Sequence, residues 1–211
     1  MARIFLLMTA LLMGALAYTG PAVAVISTFD TGLEGWTGLG CAVAWEELQG
    51  NPEGSLSSDD NTVAYAQIIA PAKFHGAWPA SGYVSADIKF IGSGTISVDI
   101  LFAITDGNTS YQYNFGPPTT SWVTYKADLN SSSWTKVTSS GFWYDWNPPI
   151  GSESLAEVLT NVTGFHIRTD YVDGYGDKSL VDNIQVVPLP PAAVLLGSGL
   201  AGLTFWRGRK K

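Results

Sequence analysis

The sequence predicts an all-β fold, a sandwich or jelly roll, with a short apolar segment at either end. Three observations carry that expectation. Apolar residues between Val25 and Val187 recur with a period of two rather than 3.6, Gly- and Pro-rich clusters punctuate them, and no long helical stretch intervenes. At 211 residues, 46% hydrophobic and only 14% charged, the chain has the opposite of a disordered composition and enough length for one sizeable core. One domain is expected, spanning 25–186.

In chain order, the first clear strand is Val84 to Phe90, where Val84, Ala86, Ile88 and Phe90 alternate with Ser85, Asp87 and Lys89. Thr95 to Ile104 alternates more strictly still, with Ile96, Val98, Ile100, Phe102 and Ile104 facing one way and Thr95, Ser97 and Asp99 the other. The turn Thr105-Asp106-Gly107-Asn108 closes it. Tyr111 to Phe115 and Trp122 to Leu129 repeat the pattern on either side of Gly116-Pro117-Pro118. Ser154 to Leu159 is the one helix candidate, with Ser152 or Ser154 as its cap. Phe165, Ile167 and Thr169 then alternate with His166, Arg168 and Asp170, and the body closes on a strand through Leu180, Ile184 and Val186.

The two ends read differently. Arg3 followed by an uncharged run from Ile4 to Ala17, a Gly20-Pro21 break and small residues at Ala22 and Ala24 predict a secretory signal peptide over 1–24, cleaved by signal peptidase after Ala24. The run is short for a membrane span. At the other end, 187–211, the motif Val187-Pro188-Leu189-Pro190 and Pro191 precede an apolar stretch from Ala192 to Trp206, then Arg207, Arg209, Lys210 and Lys211. This reads as a short transmembrane helix with a basic stop. Pro motif, short apolar helix and basic cluster together resemble the PEP-CTERM sorting tail of exopolysaccharide-producing Gram-negative bacteria, in its VPLP variant. Leu189 stands where Glu is usual. The resemblance implies an exosortase that processes the tail near the Pro motif, transient residence in the inner membrane, and delivery to the cell surface or extracellular matrix. A permanent C-terminal anchor predicts the same topology without release.

Charge separates the body from its ends. Arg3 and the four tail cations account for five of the eleven Lys and Arg, whereas all eighteen acids lie between Asp30 and Asp182, so six cations face eighteen acids and the formal −7 becomes −12 on the body. That balance excludes nucleic acid as a partner and favours neutral polymers, cations or basic partners. The mean hydropathy of +0.14 comes from the two apolar ends. Cys41 alone excludes a disulfide framework or a cysteine zinc cluster.

The segments Gly50-Asn51-Pro52-Glu53-Gly54-Ser55-Leu56-Ser57, Ala70-Pro71-Ala72-Lys73-Phe74-His75-Gly76 and Leu155 through Ile184 resemble a laminin B (laminin IV type A) domain, from about Phe29 to Val186. The opening Phe29-Asp30-Thr31-Gly32-Leu33-Glu34-Gly35-Trp36 and the closing Asp182-Asn183-Ile184 are shared more widely, by galactose-binding-like jelly rolls and many carbohydrate-binding modules. The resemblance implies a galactose-binding-like jelly roll in secreted, matrix-associated proteins, usually without catalysis. It also implies a structural calcium, held in related jelly rolls by the acid of the closing motif and an acid near the first strand; those are Asp182 and Asp30 here, with Glu34 as an alternate.

Residue patterns give the remaining candidates. Asp182 shares parity with Leu180, Ile184 and Val186, which points its carboxylate toward the core, where either a cation or backbone N–H groups must satisfy it. The loop Asp170 to Asp177, with acids at 170, 173 and 177, is a solvated acidic turn or a cation loop without EF-hand spacing. Trp143, Tyr144 and Trp146 in a non-alternating stretch, with Trp78, Tyr171 and Tyr175 near rims, are candidate sugar-stacking rings or core filling; Trp143, Tyr144, Trp146 and Tyr171 are the carbohydrate-binding set. His166, Arg168, Asp87 and Asp99 line a groove or form cross-strand charge pairs. No nucleophile elbow, HExxH motif or recognisable carboxylate pair points to catalysis. The expected function is non-catalytic: an exported surface or matrix protein, binding carbohydrate such as exopolysaccharide. A polysaccharide-active enzyme and a purely structural matrix protein are the alternatives.

Overall fold

A computed structural model of the chain describes residues 23–60, 65–138, 147–173 and 176–189. Ala22, the tail from Pro190 onward, and the aromatics Trp143, Tyr144, Trp146 and Tyr175 lie outside the described residues. No helix among the described residues is long and apolar enough to cross a membrane.

Two antiparallel sheets face one another. The first runs β3 (Ala42–Glu46), β4 (Ser55–Asp60), β12 (Asp177–Pro188), β6 (Gly82–Phe90) and β9 (Val123–Asp128), with β1 (Val25–Ser27) paired to the later part of β12. The second runs β10 (Thr135–Lys136), β8 (Ser110–Asn114), β7 (Leu101–Thr105), β11 (Gly164–Arg168), β5 (Gln67–Ile69) and β2 (Thr37–Leu39). Val84, Ala86, Ile88 and Val181 from the first sheet meet Ile68, Phe102, Ile104, Phe165 and Ile167 from the second in one core. The expected all-β sandwich is therefore observed, and the alternation read in β6, β9 and β11 is the alternation of its inner and outer faces. Helix α1 (Leu155–Val158) begins on Ser154, whose hydroxyl accepts from Glu157 N while the Glu157 carboxylate accepts from Ser154 N, a complete capping box.

Two segments depart from the simple reading. The strand expected over 95–104 is regular only from Leu101; Ser97 N and Val98 N both donate to Tyr171 O, at 2.9 and 3.2 Å, and Ile96 makes a single bridge to Val172. The backbone there pairs with the turn after β11 instead of a neighbouring strand, so Val98 leaves the inward row. The second departure concerns Asp182. Its carboxylate does not face the core, because the register of β12 against β6 slips by one residue between Asp182 and Gln185, and Asn183 takes a left-handed φ of 47°. Val181 is inward before the bulge, and Ile184 and Val186 are inward after it. Asp182 thus lies on the outer face, opposite Asp87 of β6.

β12 also continues through Val187 and Pro188, which pair with Tyr83 and Gly82, and Leu189 N donates to Ser81 O at 3.0 Å. The last strand therefore includes the first residues of the Pro motif and passes the expected boundary at Val186.

Phe165 is the hub of the core. Its ring centroid lies 5.3 Å from Trp78, 5.8 Å from Phe102, and 6.0 Å from both Trp36 and Phe74, three of the four contacts being edge-on. Trp36 and Trp78 are filled into this cluster with their indole N–H groups bonded to Ser27 Oγ and Phe74 O. Trp78, 7% exposed, is thus a core residue and not a rim residue. Phe165→Ala, which empties the space shared by four rings from three parts of the chain, is expected to cost about 3–5 kcal/mol, read as a fall in the urea midpoint at unchanged m-value. A loss below about 1 kcal/mol would show that the cluster collapses around the gap.

Candidate functional site: a cleft on the outer face of the second sheet

The outer face of the second sheet is polar yet largely covered. With Phe102, Ile104, Phe165 and Ile167 turned inward, the pleat turns Leu101, Ala103, His166 and Arg168 outward, and β8 adds Gln112 and Asn114 beside Ala103 and Leu101. Leu101, Ala103, His166 and Arg168 are buried. A cleft of about 290 Å³ opens on this face, lined by Tyr65, Ser97, Val98, Asp99, Leu101, Gln112, Asn114 and Arg168. It is close to the lower end of the roughly 300–1,000 Å³ typical of ligand clefts.

Asn114, Asp99 and Arg168 in the lining are held by neighbours. Asn114 Nδ2 donates to Asp99 Oδ2 at 2.7 Å while its own Oδ1 accepts from Gly116 N at 2.8 Å. The Arg168 guanidinium sits 4.4 Å from the centroid of the Tyr65 ring, and its Nη2 is 3.4 Å from Asp170 Oδ2. Arg168 Nε is buried without an acceptor. Ring, guanidinium, carboxylate and two amides around an apolar floor of Leu101 and Val98 give the cleft both an apolar surface and directed donors and acceptors. One cation against one acid keeps it near neutral inside a strongly acidic body.

The groove expected from His166, Arg168, Asp87 and Asp99 is therefore partly assembled. Arg168 and Asp99 line the cleft together. His166 lies on the same face, where its Nδ1 is 3.0 Å from Gln67 Oε1. Asp87 is on the other sheet. Tyr65, Gln112 and Asn114 were not among the sequence candidates, although Gln112 and Asn114 occupy the polar positions of an alternating strand. Tyr171, expected as a sugar-stacking ring, is fully buried: its ring meets Phe90 edge-on at 6.4 Å and its hydroxyl donates to Arg168 O at 2.6 Å. It supports the floor from inside.

A second polar group occupies the outer face of the first sheet. Asp182 Oδ2 accepts from Asn51 N at 2.7 Å and Oδ1 from Asn183 N at 2.6 Å. Asp87 accepts from Asn51 Nδ2, Asn183 Nδ2 and the Thr124 hydroxyl. Burial pushes the Asp182 carboxyl up to about 6; the two backbone N–H groups pull it down, and the charges of Asp87 and Asp30 add to the rise. Each Asp182 oxygen keeps a lone pair after its N–H bond, so a hard cation can still be accommodated there. Asp30 accepts from the Thr28 hydroxyl at 2.8 Å. Glu34 is committed elsewhere, to Thr28 N, Phe29 N and an ion pair with Lys73, which together keep its pKa low despite burial.

The loop from Asp170 to Asp177 is not the solvated acidic turn expected. Asp173 is exposed, but Asp170, paired with Arg168, is 7% exposed, and Asp177, the first residue of β12, is 0% exposed.

No family model matches the chain, and no curated protein matches it. Solved structures do. The family 11 carbohydrate-binding module of the cellulosomal cellulase Lic26A-Cel5E of Clostridium thermocellum superposes with a TM-score of 0.57 at 20% identity, over 81% of this chain and 97% of that one. The fold is an all-β sandwich similar to the jelly rolls of carbohydrate-binding modules. The L4b domain of human laminin alpha-2 matches this jelly roll with a TM-score of 0.55 at 9% identity, covering 79% of this chain and 99% of the laminin domain. The CBM22-1 xylan-binding domain of Paenibacillus barcinonensis Xyn10C matches with a TM-score of 0.51 at 16% identity, over 79% and 95%.

His166 gives the jelly roll a measurable acid response. Burial, reinforced by the charge of His75, pushes its imidazole down to about 4 from an ordinary value near 6.5. A proton therefore binds the unfolded chain first. The associated stability is intact above about pH 6.5, falls as pH drops, and is lost by about pH 4, a change on the order of 3 kcal/mol. The raised carboxyls at Asp170 and Asp182 act in the opposite direction, so the comparison is with His166→Gln. Wild type is expected to lose stability relative to that variant between pH 6.5 and 4; parallel curves of urea midpoint against pH would refute the buried neutral imidazole.

Proposed function

We propose that the chain is an exported, non-catalytic carbohydrate-binding protein whose cleft on the outer face of the second sheet takes a segment of a neutral polysaccharide. The observation that carries this reading is the lining itself. Tyr65 presents a half-buried ring over Arg168, and Asp99, Gln112 and Asn114 surround an apolar floor. A pyranose offers the complement, an apolar C–H face edged by hydroxyls that both donate and accept. Fold neighbours support the substrate class: one solved structure of the family 11 module is a complex with a β-1,3-1,4-mixed-linked tetrasaccharide, and the CBM22-1 domain is named as xylan-binding. The charge of −12 on the body disfavours polyanionic polymers, which leaves neutral glucans and xylans as first candidates.

Export and sorting belong to the same proposal and rest on the two ends. Signal peptidase acts after Ala24, and an exosortase acts on the tail that begins Val187-Pro188-Leu189-Pro190, taking the body through the inner membrane to the cell surface or matrix. A structural calcium beside Asp182 and Asp30 is also proposed. Its support is a covered Asp182 carboxylate whose affinity for positive charge is raised by the charges of Asp87 and Asp30.

A glycan array with the full-length chain, followed by titration calorimetry on the best polymer, tests the reading. Tyr65→Ala and Asp99→Ala are each expected to weaken binding at least tenfold, the loss of one stacking or hydrogen-bonding anchor of about 1.4 kcal/mol or more. Thermal midpoints should stay near wild type. No release of reducing ends is expected from the bound polymer. Silence of the array across neutral glucans, xylans and the host's own exopolysaccharide would eliminate the carbohydrate reading and leave a structural role.

A further inference from the structure

The inward face of the first sheet ends in acids. Asp60 and Asp177 stand directly opposite one another on β4 and β12, on the same side as Leu56 and Val181, with Ser58 and Ser179 on the next inward rung. Asp170 reaches the same point from the turn after β11. One carboxylate oxygen from each of the three lies within 4.8 Å of the others. The residues are 3%, 7% and 0% exposed for Asp60, Asp170 and Asp177.

Negative charge is concentrated in this group. Among the described residues, Arg168 is the cation in ion-pair contact with it, through Asp170. Three carboxylates meet in a water-poor space, a costly arrangement unless positive charge or protons enter. Two oxygens there also lack a donor. Asp177 Oδ2 accepts from Tyr171 N at 2.5 Å and Val172 N at 2.8 Å, but its Oδ1 is buried with no partner, and so is Ser179 Oγ one rung along. A cation or a donor is what the bare Asp177 oxygen can take, and a cation also offsets the gathered negative charge.

We propose that Asp60, Asp170 and Asp177 form a second divalent-cation site, of calcium-like chemistry, between the two sheets. An all-oxygen donor set selects a hard cation over zinc or copper. Ligand oxygens no more than 4.8 Å apart lie within the span of a calcium sphere, about 4.6–5.2 Å across, and calcium accepts an irregular oxygen set more readily than magnesium does. Ser179 Oγ is a candidate further ligand. The crowding of Asp170 by burial and by Asp177, which pushes its carboxyl up, agrees with a site that holds a proton when no metal is present. A bound cation would clamp β4, β12 and the post-β11 turn, and it would fix Asp170, the ion-pair partner of Arg168. The site stands whether or not the cleft takes sugar.

Titration calorimetry on the full-length chain, stripped with chelator and titrated with calcium and then magnesium chloride, tests this directly. A saturable calcium event is expected that Asp60→Asn weakens at least tenfold and Asp182→Asn leaves unchanged. Should Asp60→Asn fail to fold, Asp170→Asn, which keeps the side-chain shape, carries the comparison. Absence of any saturable event up to about 10 mM, beyond the weakest extracellular calcium modules, would overturn the proposal. So would binding that survives in both Asp60→Asn and Asp170→Asn, or that disappears only in Asp182→Asn, which would assign the ion to the outer face. Polymer binding is read separately, so loss of one does not decide the other.

Discussion

The left-handed backbone at Asn183 sets the phase of the strand on which the first sheet is built. β12 pairs with β4, β6 and β1, and a single extra residue against β6 decides which of its side chains meet the core. Before the bulge Asp177, Ser179 and Val181 point inward; after it Ile184 and Val186 do. A strand of this length without the slip would place either a row of apolar residues outside or Asp182 inside, since one residue of shift inverts every later side chain. The conformation suits Asn, which tolerates positive φ better than most side chains and here uses its amide to bond Asn51 O and Asp87. The loop carrying Asn51 is tied to the same place by Asp182. Backbone geometry, loop position and the pairing of two acids are thus one arrangement.

The second sheet is organised by a division of labour between its faces. Inward, aromatic and branched residues meet edge-on around Phe165. Outward, β7, β8 and β11 present Leu101, Gln112, Asn114 and Arg168, so central strands supply half of the cleft lining, and polar groups such as Asn114 and Arg168 are oriented before any ligand arrives. Asn114 is held at both ends of its amide, and Arg168 is held by a ring and a carboxylate. Groups fixed in this way lose little rotational freedom on binding, which favours affinity from a modest contact area.

Much of this was legible in the sequence, and the limits are physical. Period-two alternation gave β6, β9 and β11 and their inward faces, because alternation is the direct product of the pleat. Arg168 and Asp99 were recognised as groove candidates for the same reason. The orientation of Asp182 was misjudged because a bulge leaves no trace in the polarity pattern: Leu180, Asp182, Ile184 and Val186 look like one row. Tyr171 looked exposed because it follows a strand among acids, yet its ring is needed to fill the end of the core beside Phe90. Asp60 and Asp177 lie far apart in the chain, and only strand pairing brings them opposite one another. Tyr65 stands just outside any alternating run, where periodicity has no purchase.

The cleft joins strand residues, Leu101, Gln112, Asn114 and Arg168, to irregular segments carrying Tyr65 and Ser97 to Asp99, and this constrains how such a protein can diversify. Insertions and deletions accumulate in connecting segments, and outside the 95–100 and Tyr65 stretches they would leave the cleft unchanged. A lineage seeking a different partner has to exchange single residues at strand positions such as 112 and 114, each flanked by inward neighbours that hold the sandwich together. Change in recognition would then proceed by small substitutions on a conserved scaffold, and sequence distance between relatives would report poorly on what each one holds.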